Sequence, residues 1–424
     1  MAKRIYVGVA DKARKVAKAY VGVNGVARKI KKAYIGIGGV ARPCFSSGFL
    51  EYYGQITPLS MPRALSAVGS VLDDTYWFKS SRAIIAGGLD AAASRENIDA
   101  YDISLTRTTS TLSSATTAKG DSQQGRMIYS YPVGQDTFVH ALNAAITESV
   151  LATIKDIAIY YPSIISLFNT TQGYPQNVAY VAGGYTSGGY GSKTARAIGP
   201  TGTVVALDNI HDTQSGVNMM SAKASDEMAI FAGGTSRTAS YTWAFPDAFC
   251  TAYNNITRID LAALSVARSQ GMGASLYSKS TNASYAIIAG GYRGAPSSGS
   301  WEASDYNTVD AYDASGTKVV APSLSKACRG GASVSFLSRS GGYTDANTAG
   351  VLFVGGSANI CEGFMEGLTH IIADIITPAV HGNIGDHLAL LCDDSAGYIL
   401  QPGGRHTQDG SPIYTDTVDV IQFY

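Results

Sequence analysis

The sequence predicts an all-β protein made of one repeated unit, and three observations support this fold class. A short apolar run that ends in two glycines occurs six times between residues 84 and 404. A phrase of the Asp-Ala-Tyr-Asp type follows several of these runs. The chain of 424 residues is 45% hydrophobic and 15% charged, so it can bury a large core. Internal periods of roughly 40–50 residues are typical of propellers and other repeat folds.

The glycine runs predict the number of units. Measured between the second glycines, the steps are 96, 50, 57, 65 and 48 residues. The first step is about twice the next, which predicts one unit without its glycine pair and seven units in all. Glycine allows positive φ and close backbone approach, which converging sheets require. The runs are Ile84–Gly88, Tyr180–Gly184, Ile230–Gly234, Ile287–Gly291, Leu352–Gly356 and Ile399–Gly404.

The unit without a glycine pair is predicted between residues 112 and 162. There Thr137–Leu142 takes the place of a glycine run, and Asp156–Tyr160 takes the place of the Asp-Ala-Tyr phrase. Alternating apolar residues closed by turn residues indicate short strands, so each unit should contain several antiparallel strands. Closer and looser copies of the phrase lie at Asn97–Asp102, Asn307–Asp313, Asn255–Asp260 and Thr417–Ile421.

These two features resemble the kelch repeat, in which a glycine pair ends the second strand of a four-stranded blade and a Tyr-Asp phrase marks the third. The resemblance implies a seven-bladed kelch-like β-propeller over residues 51–424. Many kelch blades also carry a Trp on the fourth strand, whereas this chain has small and β-branched residues there, at Arg107–Leu112 and Thr317–Ala321. Radial repetition of this kind leaves only short, protected sheet edges.

The two ends of the propeller segment are expected to share its last blade. The chain reaches a third-strand phrase at Val418–Phe423, and Tyr52–Leu59 precedes the first unit and can supply the fourth strand. N- and C-terminal strands would then close the ring.

Residues 1–42 are predicted to be a separate β-repeat arm, joined to the propeller by a linker over residues 43–50. A Tyr-Val-Gly-Val type phrase recurs every 14 residues, each time followed by a two-residue hairpin turn. The phrases are Tyr6–Val9, Tyr20–Val23 and Tyr34–Ile37, and their turns are Ala10-Asp11, Asn24-Gly25 and Gly38-Gly39.

We expect these hairpins to form a small antiparallel meander in which Val26–Ile37 is one long strand. The alternative is a short helix over Asp11–Ala19, which contains good helix formers. Two or three strands without a second layer are marginal in water, so the arm should need a partner.

The arm is strongly basic. It contains eleven Lys and Arg against one acidic residue, a net charge of +10, and the rest of the chain has a net charge of −10. This asymmetry indicates an attachment arm that docks on an acidic surface. A solvated strand face that protects a sheet edge and a nucleic-acid contact are the alternatives. The residues assigned to attachment are Lys12, Arg14, Tyr20, Arg28, Lys29 and Tyr34.

The arm also resembles the Tyr-Val-Gly-Val-x-Gly-Val-Ala-Arg repeats in structural proteins of phages and phage-like particles of Gram-positive bacteria. The resemblance implies a virion component, made in the bacterial host cytoplasm and located in the tail or at the particle surface. As a tail-fibre or baseplate receptor-binding protein it would attach to other virion proteins through residues 1–42, within an oligomeric assembly. A purely structural baseplate or capsid-surface subunit is the alternative.

Long aromatic connections after the glycine pairs form the candidate ligand site. Exposed aromatic side chains can stack on sugar rings while Ser, Asn and Asp bond the hydroxyls, which suits a host cell-wall glycan or surface protein. Alternatively, these side chains cover their own loops or pack on another subunit. The candidates are Tyr185, Tyr190, Tyr241, Trp243, Phe245, Tyr292 and Trp301.

No catalytic residue, metal site or cofactor is predicted, and a glycan-active enzyme is kept as the third option. His381 and His387 are close in sequence, but a spacing of six is not a known ligand motif. The five cysteines lack a Cys-x-x-Cys pair and are expected to be buried thiols. No run of 18 apolar residues and no secretory signal is found, so no membrane insertion is predicted.

Overall fold

The computed structural model is all-β, which confirms the fold class. Among the described residues the one helical element is a 3-10 turn at Glu366–Leu368. For the strands within residues 6–46, and for short stretches such as 236–237 and 243–246, only the backbone is described. The described residues are 6–9, 12–15, 19–23, 26–30, 32–37, 40–46, 50–64, 66–72, 79–116, 120–124, 126–155, 159–160, 162–167, 178–186, 191–210, 218–237, 243–246, 248–278, 283–293, 304–337, 349–372, 388–393, 396–408 and 411–423.

The arm consists of three separate two-stranded hairpins with one register. In each hairpin the glycine of the Tyr-Val-Gly-Val phrase lies opposite an alanine: Gly8 opposite Ala13, Gly22 opposite Ala27 and Gly36 opposite Ala41. Two residues separate the paired strands of each hairpin, at the positions predicted for the turns, and these turn residues lie outside the described residues. The paired strands are Tyr6–Val9 with Lys12–Lys15, Ala19–Val23 with Val26–Ile30, and Lys32–Ile37 with Val40–Ser46.

Two expectations for the arm are wrong in detail. Val26–Ile37 is not one strand, because Val26–Ile30 pairs back to the second hairpin and Lys32–Ile37 pairs forward to the third. The helix alternative over Asp11–Ala19 also fails, since Lys12–Lys15 is a strand. The third hairpin ends at Ser46, inside the segment expected to be the linker. Each turn thus closes its own hairpin before the next repeat begins.

Beyond the arm, the antiparallel pairings of the described strands allow a grouping into seven sets of four, here called units 1 to 7. Units 3 to 6 are separate four-stranded sheets, whereas units 1, 2 and 7 are joined in one 12-stranded sheet, through the parallel pair Gln123 and Val71 and through the pair Cys392 and Ser80. Unit 1 is Ala67–Leu72, Ser80–Ala86, Arg95–Tyr101 and Arg107–Thr116. Unit 2 is Gly120–Gln124, Arg126–Val133, Asp136–Asn143 and Glu148–Ile154. Unit 3 is Ser163–Leu167, Val178–Ala182, Ala195–Ile198 and Val204–Leu207. Unit 4 is Met220–Lys223, Met228–Ala232, Cys250–Asn254 and Thr257–Asp260.

The remaining units follow the same order. Unit 5 is Met272–Ser278, Ala283–Ala289, Val309–Asp313 and Lys318–Val319. Unit 6 is Ala332–Leu337, Ala349–Gly355, Ile360–Met365 and Thr369–Ile372. Unit 7 is Ala389–Cys392, Gly397–Gln408, Ser411–Phe423 and Leu50–Gln55. Short hairpins between the second and third strands add Thr235–Arg237 with Trp243–Pro246 in unit 4, and Tyr292–Arg293 with Ser304–Asp305 in unit 5.

Unit 7 combines strands from distant parts of the sequence. Leu50–Gln55 pairs antiparallel with Ser411–Phe423, so that Leu50 lies opposite Phe423 and Gln55 lies opposite Asp419. The Tyr52 hydroxyl also donates a hydrogen bond to Asp419 Oδ1 at 2.7 Å. This is the strand pairing expected from the sequence between the start of the repeat region and its last strand.

The hydrophobic core lies between units rather than within them. The described buried apolar residues form seven clusters, and each cluster is shared by two successive units. One of these clusters joins unit 7 to unit 1, with Leu400 and Val420 packed beside Ile85 and Tyr101. Because both sheet faces are covered, second strands such as Val178–Ala182 are buried at every position.

The first strands contact one another in cyclic order, from unit 1 through unit 7 and back to unit 1. Serine hydroxyls join several neighbours by accepting a backbone N–H. Ser122 accepts from Ser70, Ser70 accepts from Leu390, and both distances are 2.8 Å. The amide of Ser275 donates to Ser335 at 3.2 Å, and Ser275 accepts from Lys223 at 2.7 Å. These contacts give edge N–H groups a partner in the next unit.

The glycine pairs lie at the joints between units, in the left-handed backbone region predicted for them. In three pairs the second glycine, Gly234, Gly291 or Gly404, donates its N–H to the segment that leads into the next unit. Gly234 donates to the carbonyl of Arg268 at 3.0 Å, and Gly404 of unit 7 donates to Arg63 before unit 1 at the same distance. At Gly233, with φ of 62°, an added Cβ would overlap the Arg268 carbonyl oxygen. The joint between units 4 and 5 therefore recurs between units 7 and 1.

Three strand assignments made from the sequence are wrong. Unit 2 lies where it was expected, but Thr137–Leu142 belongs to its third strand, because Gly134 in the preceding turn makes a tight hairpin with φ of 64°. Of Asp156–Tyr160, expected to be the third strand, only Ile159 and Tyr160 are among the described residues, and they come after the fourth strand Glu148–Ile154. In unit 4 the third strand is Cys250–Asn254, and Asn255–Asp260 forms the turn and fourth strand.

Candidate functional site

The connections after the glycine pairs share one end of the units with the segments that lead into the first strands. We call this end the glycine face. Ladder pairs define it: Tyr160 and Tyr185 exchange backbone hydrogen bonds at 2.8 and 3.0 Å in unit 3. Ser269 and Tyr292 do the same in unit 5, at 3.0 and 2.7 Å. The residue after a glycine pair is thereby fixed beside the lead-in segment of its own unit.

Two of the predicted aromatic residues lie at this position. Tyr185 stacks on Tyr160 with ring centroids 5.2 Å apart and an angle of 12° between the planes. Tyr292 instead carries a cation, because the guanidinium carbon of Arg329 lies 4.0 Å from its ring centroid. Both tyrosine rings are half-buried. They belong to units 3 and 5, so they contribute to separate parts of the glycine face.

Tyr292 belongs to a polar group at the joint between units 5 and 6, here called the Arg329 cluster: Tyr292, Asp305, Arg329 and Ser357. Arg329 Nε lies 3.4 Å from Asp305 Oδ1. The Ser357 hydroxyl donates to Asp305 Oδ2 at 2.6 Å and accepts the Arg329 N–H at 3.2 Å, while the Ser357 N–H donates to the Arg329 carbonyl at 2.9 Å. Residues from two units thus hold one another in place.

The Arg329 cluster combines a cation, an anion, a hydroxyl and an aromatic ring at a partly open surface. The Arg329 side chain is 38% exposed and that of Asp305 is 25% exposed. A planar guanidinium can bind a carboxylate or phosphate with two parallel hydrogen bonds. A carboxylate and a serine hydroxyl can bond the hydroxyl groups of a sugar. These groups suit recognition of a polar ligand.

The other predicted ligand residues are described less completely. Trp243 and Phe245 lie on the backbone strand Trp243–Pro246. Tyr190, Tyr241 and Trp301 fall outside the described residues. The attachment residues Lys12, Arg14, Tyr20, Arg28, Lys29 and Tyr34 all lie on described hairpin strands.

Sequence reasoning missed a buried polar position on the third strand. In six units this position holds a buried polar side chain among the described residues: Asp99, His140, Thr251, Asp310, Glu362 and Asp419. The signal was present as the first Asp of the Asp-Ala-Tyr phrase. A Leu-Ser phrase before the first strand, at Leu59-Ser60, Leu264-Ser265 and Leu324-Ser325, supplies partners for three of these carboxylates.

In unit 1 the buried carboxylate is Asp99, which pairs with a buried arginine. Arg63 Nη2 donates to Asp99 Oδ2 at 2.7 Å and to the carbonyl of Ile85 at 3.0 Å, and both charged side chains have 0% exposure. Ser60 donates its N–H at 3.0 Å and its hydroxyl at 2.9 Å to the same carboxylate. Burial lowers the pKa of Arg63, against the attraction of Asp99. This pair ties the lead-in segment to the second and third strands.

Unit 5 repeats the arrangement with one addition. Arg268 Nη2 lies 2.7 Å from Asp310 Oδ2 and donates to the Ile288 carbonyl at 3.1 Å. Lys318 Nζ lies 2.7 Å from Asp310 Oδ1, whereas the corresponding second cation of unit 1, Arg107, is 3.8 Å from Asp99. Burial alone would raise the pKa of Asp310, but Arg268 and the hydrogen bonds to the carboxylate hold it below its usual value.

Unit 2 has a histidine at this position. His140 Nδ1 lies 2.8 Å from Glu148 Oε1, and its ring stacks against Tyr129 and Tyr131 at centroid distances of 5.3 and 4.7 Å. Burial lowers the pKa of His140, against the attraction of Glu148. Glu148 also accepts the N–H of Ser113 from unit 1 at 2.7 Å. A titratable group therefore lies at the contact between units 1 and 2.

The histidines and cysteines considered as possible ligands or thiols are only partly described. His381 and His387 lie outside the described residues. Within the described part of the chain no three His, Cys, Asp or Glu residues are grouped as a metal site.

Cys250, Cys328 and Cys392 are buried thiols as expected, and Cys361 is partly exposed. Burial raises the pKa of the Cys250 thiol to about 12. The described part of the chain also contains no helix with the length and apolar character needed to cross a membrane.

Comparison with known proteins does not identify a family for this chain. No protein-family model matches the chain, and no curated protein matches it. Among solved structures, one described as the structure of YjhT aligns with a TM-score of 0.45 and 11% sequence identity, covering 84% of this chain and 99% of that chain. This similarity is too low to support an argument about fold or function.

Proposed function

We propose that units 1 to 7 are the blades of a seven-bladed kelch-like β-propeller, carried on the N-terminal arm. Three repeated features support the proposal: the cyclic contacts of the first strands, the seven clusters shared by successive units, and the recurring glycine joint. The same joint between Gly404 and Arg63 supports closure of the ring by unit 7. A closed ring leaves the outer strands as short edges.

We propose further that the chain is a virion structural protein of the tail-fibre or baseplate receptor-binding type. The observation that carries this proposal is the polarity of unit 7. Its third strand runs away from the glycine face and ends at Phe423, and Leu50 pairs with Phe423. The arm therefore joins the ring at the end opposite the glycine face. Only three residues separate Ser46 of the third hairpin from Leu50, and an extended chain of that length reaches at most about 14 Å.

With the arm and the glycine face at opposite ends of the ring, each can have its own role. The basic arm would dock on other virion proteins, while the glycine face, with Tyr185 and the Arg329 cluster, would be presented to a host glycan or surface protein. The 14-residue repeat of the arm, with one register in all three hairpins, supports a regular attachment surface.

A purely structural baseplate or capsid-surface subunit is the second candidate. One observation favours it: the polar groups of the Arg329 cluster bond to one another across units 5 and 6, which suits a structural joint as well as a ligand site. In that role the glycine face would be covered by neighbouring subunits.

Cryo-electron microscopy of the assembled particle tests the proposal. We expect density for residues 1–42 against other particle proteins, with the glycine face directed outward. A glycine face covered by neighbouring subunits would favour the structural role over receptor binding. A particle that lacks the chain would overturn both.

A further inference from the structure

We propose that the Arg329 cluster binds an oxyanion carried by a saccharide, either a carboxylate or a phosphate group. The saccharide part of this proposal rests on the proposed receptor-binding function, and the anion part rests on the geometry of the cluster.

Unit 6 places its arginine differently from units 1 and 5. In those units the phrase Leu-Ser-x-x-Arg puts Arg63 and Arg268 in the core, where each meets a third-strand Asp. In unit 6 the same phrase ends in Cys328, a buried thiol, and the arginine follows one residue later. Arg329 is thereby moved from the core to the glycine face. In the core of unit 6 the third-strand carboxylate is Glu362, and its Oε2 lies 2.7 Å from His370 Nε2.

The guanidinium of Arg329 is held in place, and the described part of the chain leaves some of its N–H donors unused. The face of the guanidinium rests on the Tyr292 ring, and Nε of Arg329 faces Asp305. The backbone N–H of Arg329 donates to the Ser357 hydroxyl, and its carbonyl accepts the N–H of Ser357. Among the described residues, its two terminal nitrogens have no hydrogen-bond acceptor. Because the side chain is already fixed, little conformational entropy is lost when these nitrogens bind a ligand. Two parallel N–H groups match a carboxylate or phosphate.

The carboxylate of the neighbouring Asp305 disfavours binding of a small free anion at Arg329. This carboxylate lies beside the guanidinium, so a small free anion would meet a like charge as well as the cation. A sugar that carries the anion can direct its charged group to Arg329 and donate a hydroxyl to Asp305. The exposed Ser357 can exchange hydrogen bonds with a further hydroxyl. The arrangement therefore fits an anionic sugar better than free phosphate or acetate.

Binding of defined polymers to the purified full-length chain tests the proposal. The probes are polygalacturonate for carboxylate, poly(glycerol phosphate) for phosphate, and neutral dextran, each immobilised for biolayer interferometry. We expect binding to one anionic polymer and none to dextran, and the polymer that binds identifies the anion. Arg329→Gln should weaken binding by about tenfold or more, as expected for loss of a charge-assisted hydrogen bond. Arg329→Lys should bind at an intermediate level, because it keeps the charge and loses the planar fork.

Lys326→Gln is the matched control, because it removes one positive charge from an exposed residue of the same segment. Equal weakening by Lys326→Gln and Arg329→Gln would mean general charge attraction and would overturn the site. Binding of the chain to host cells without binding to either anionic polymer would overturn this inference and leave the receptor-binding function standing. Failure to bind host cells would overturn the proposed function, and polymer binding that needs Arg329 would still support the anion site. Unchanged thermal unfolding of Arg329→Gln confirms that the variant is folded.

Discussion

Replacing the arginine of the two buried Arg–Asp pairs should lower the free energy of unfolding by unequal amounts. Arg63→Met keeps most of the aliphatic volume and removes the charge. Among the described residues this leaves the buried Asp99 with Ser60 at hydrogen-bonding distance and Arg107 at 3.8 Å. Removing one partner of a buried ion pair costs about 3–5 kcal/mol of the free energy of unfolding. Arg268→Met should cost less by about 2 kcal/mol, the value of one hydrogen bond to a charged group, because Lys318 still contacts Asp310 at 2.7 Å.

Urea unfolding followed by circular dichroism, with thermal unfolding as a second probe, measures this difference. Arg258→Met is the control with a solvated partner: the Arg258 side chain is 18% exposed, but the Asp260 side chain that it leaves behind is 65% exposed, so loss of this ion pair should cost less than about 1 kcal/mol. Adding Asp99→Asn to Arg63→Met should recover part of the loss, because it removes the unpaired buried charge. The reasoning is refuted if Arg63→Met costs no more than Arg258→Met, or if Arg268→Met costs more than Arg63→Met.

The pKa of His140 and two glycines give further predictions. The folded-state pKa of His140 lies below its ordinary value of 6.5, so this group favours folding fully above that value, and the contribution is lost as the pH falls below it. The urea midpoint should therefore drop as the pH falls below about 6.5, and His140→Gln should flatten this slope; an unchanged slope would exclude His140 as the cause. Gly273→Ala should prevent folding or cost several kcal/mol, because its Cβ would overlap the carbonyl of Ser221 in the neighbouring first strand. Gly134→Ala, with φ of 64° and open space around it, should cost only about 1–2 kcal/mol; similar costs for the two alanine variants would contradict the close packing of the first strands.

The repeat was readable from the sequence because its signals are local and steric. A glycine pair marks a left-handed turn and a close backbone approach, and these requirements recur at the joints. The strand pairing in unit 7 followed from counting strands. Unit 2 was located by its spacing, but its strands were misassigned because Thr137–Leu142 has the same apolar pattern as a second strand and only Gly134 marks the tight turn before it.

The Arg329 cluster could not be predicted in this way. Its members are far apart in sequence, and their proximity depends on how unit 5 meets unit 6. Tyr292 was named as a stacking residue for sugars, which stays a prediction, and in the structure its ring lies against the guanidinium of Arg329. The one-residue shift between Arg268 and Arg329 is visible in the sequence, yet its meaning depends on knowing that Arg268 is buried beside Asp310. Aromatic content alone named Tyr292 and gave no sign of the charged groups beside it.

The central claim is that Leu50–Gln55 closes the ring and thereby fixes the arm at the end opposite the glycine face. Hydrogen–deuterium exchange of the full-length chain tests it directly. The account predicts that Leu50–Gln55 exchanges as slowly as its partner Val418–Phe423 and as the inner strands of units 3 and 4, because all belong to one closed structure. Fast exchange of Leu50–Gln55, with Val418–Phe423 still protected, would show that the strand does not close the ring and would contradict the account.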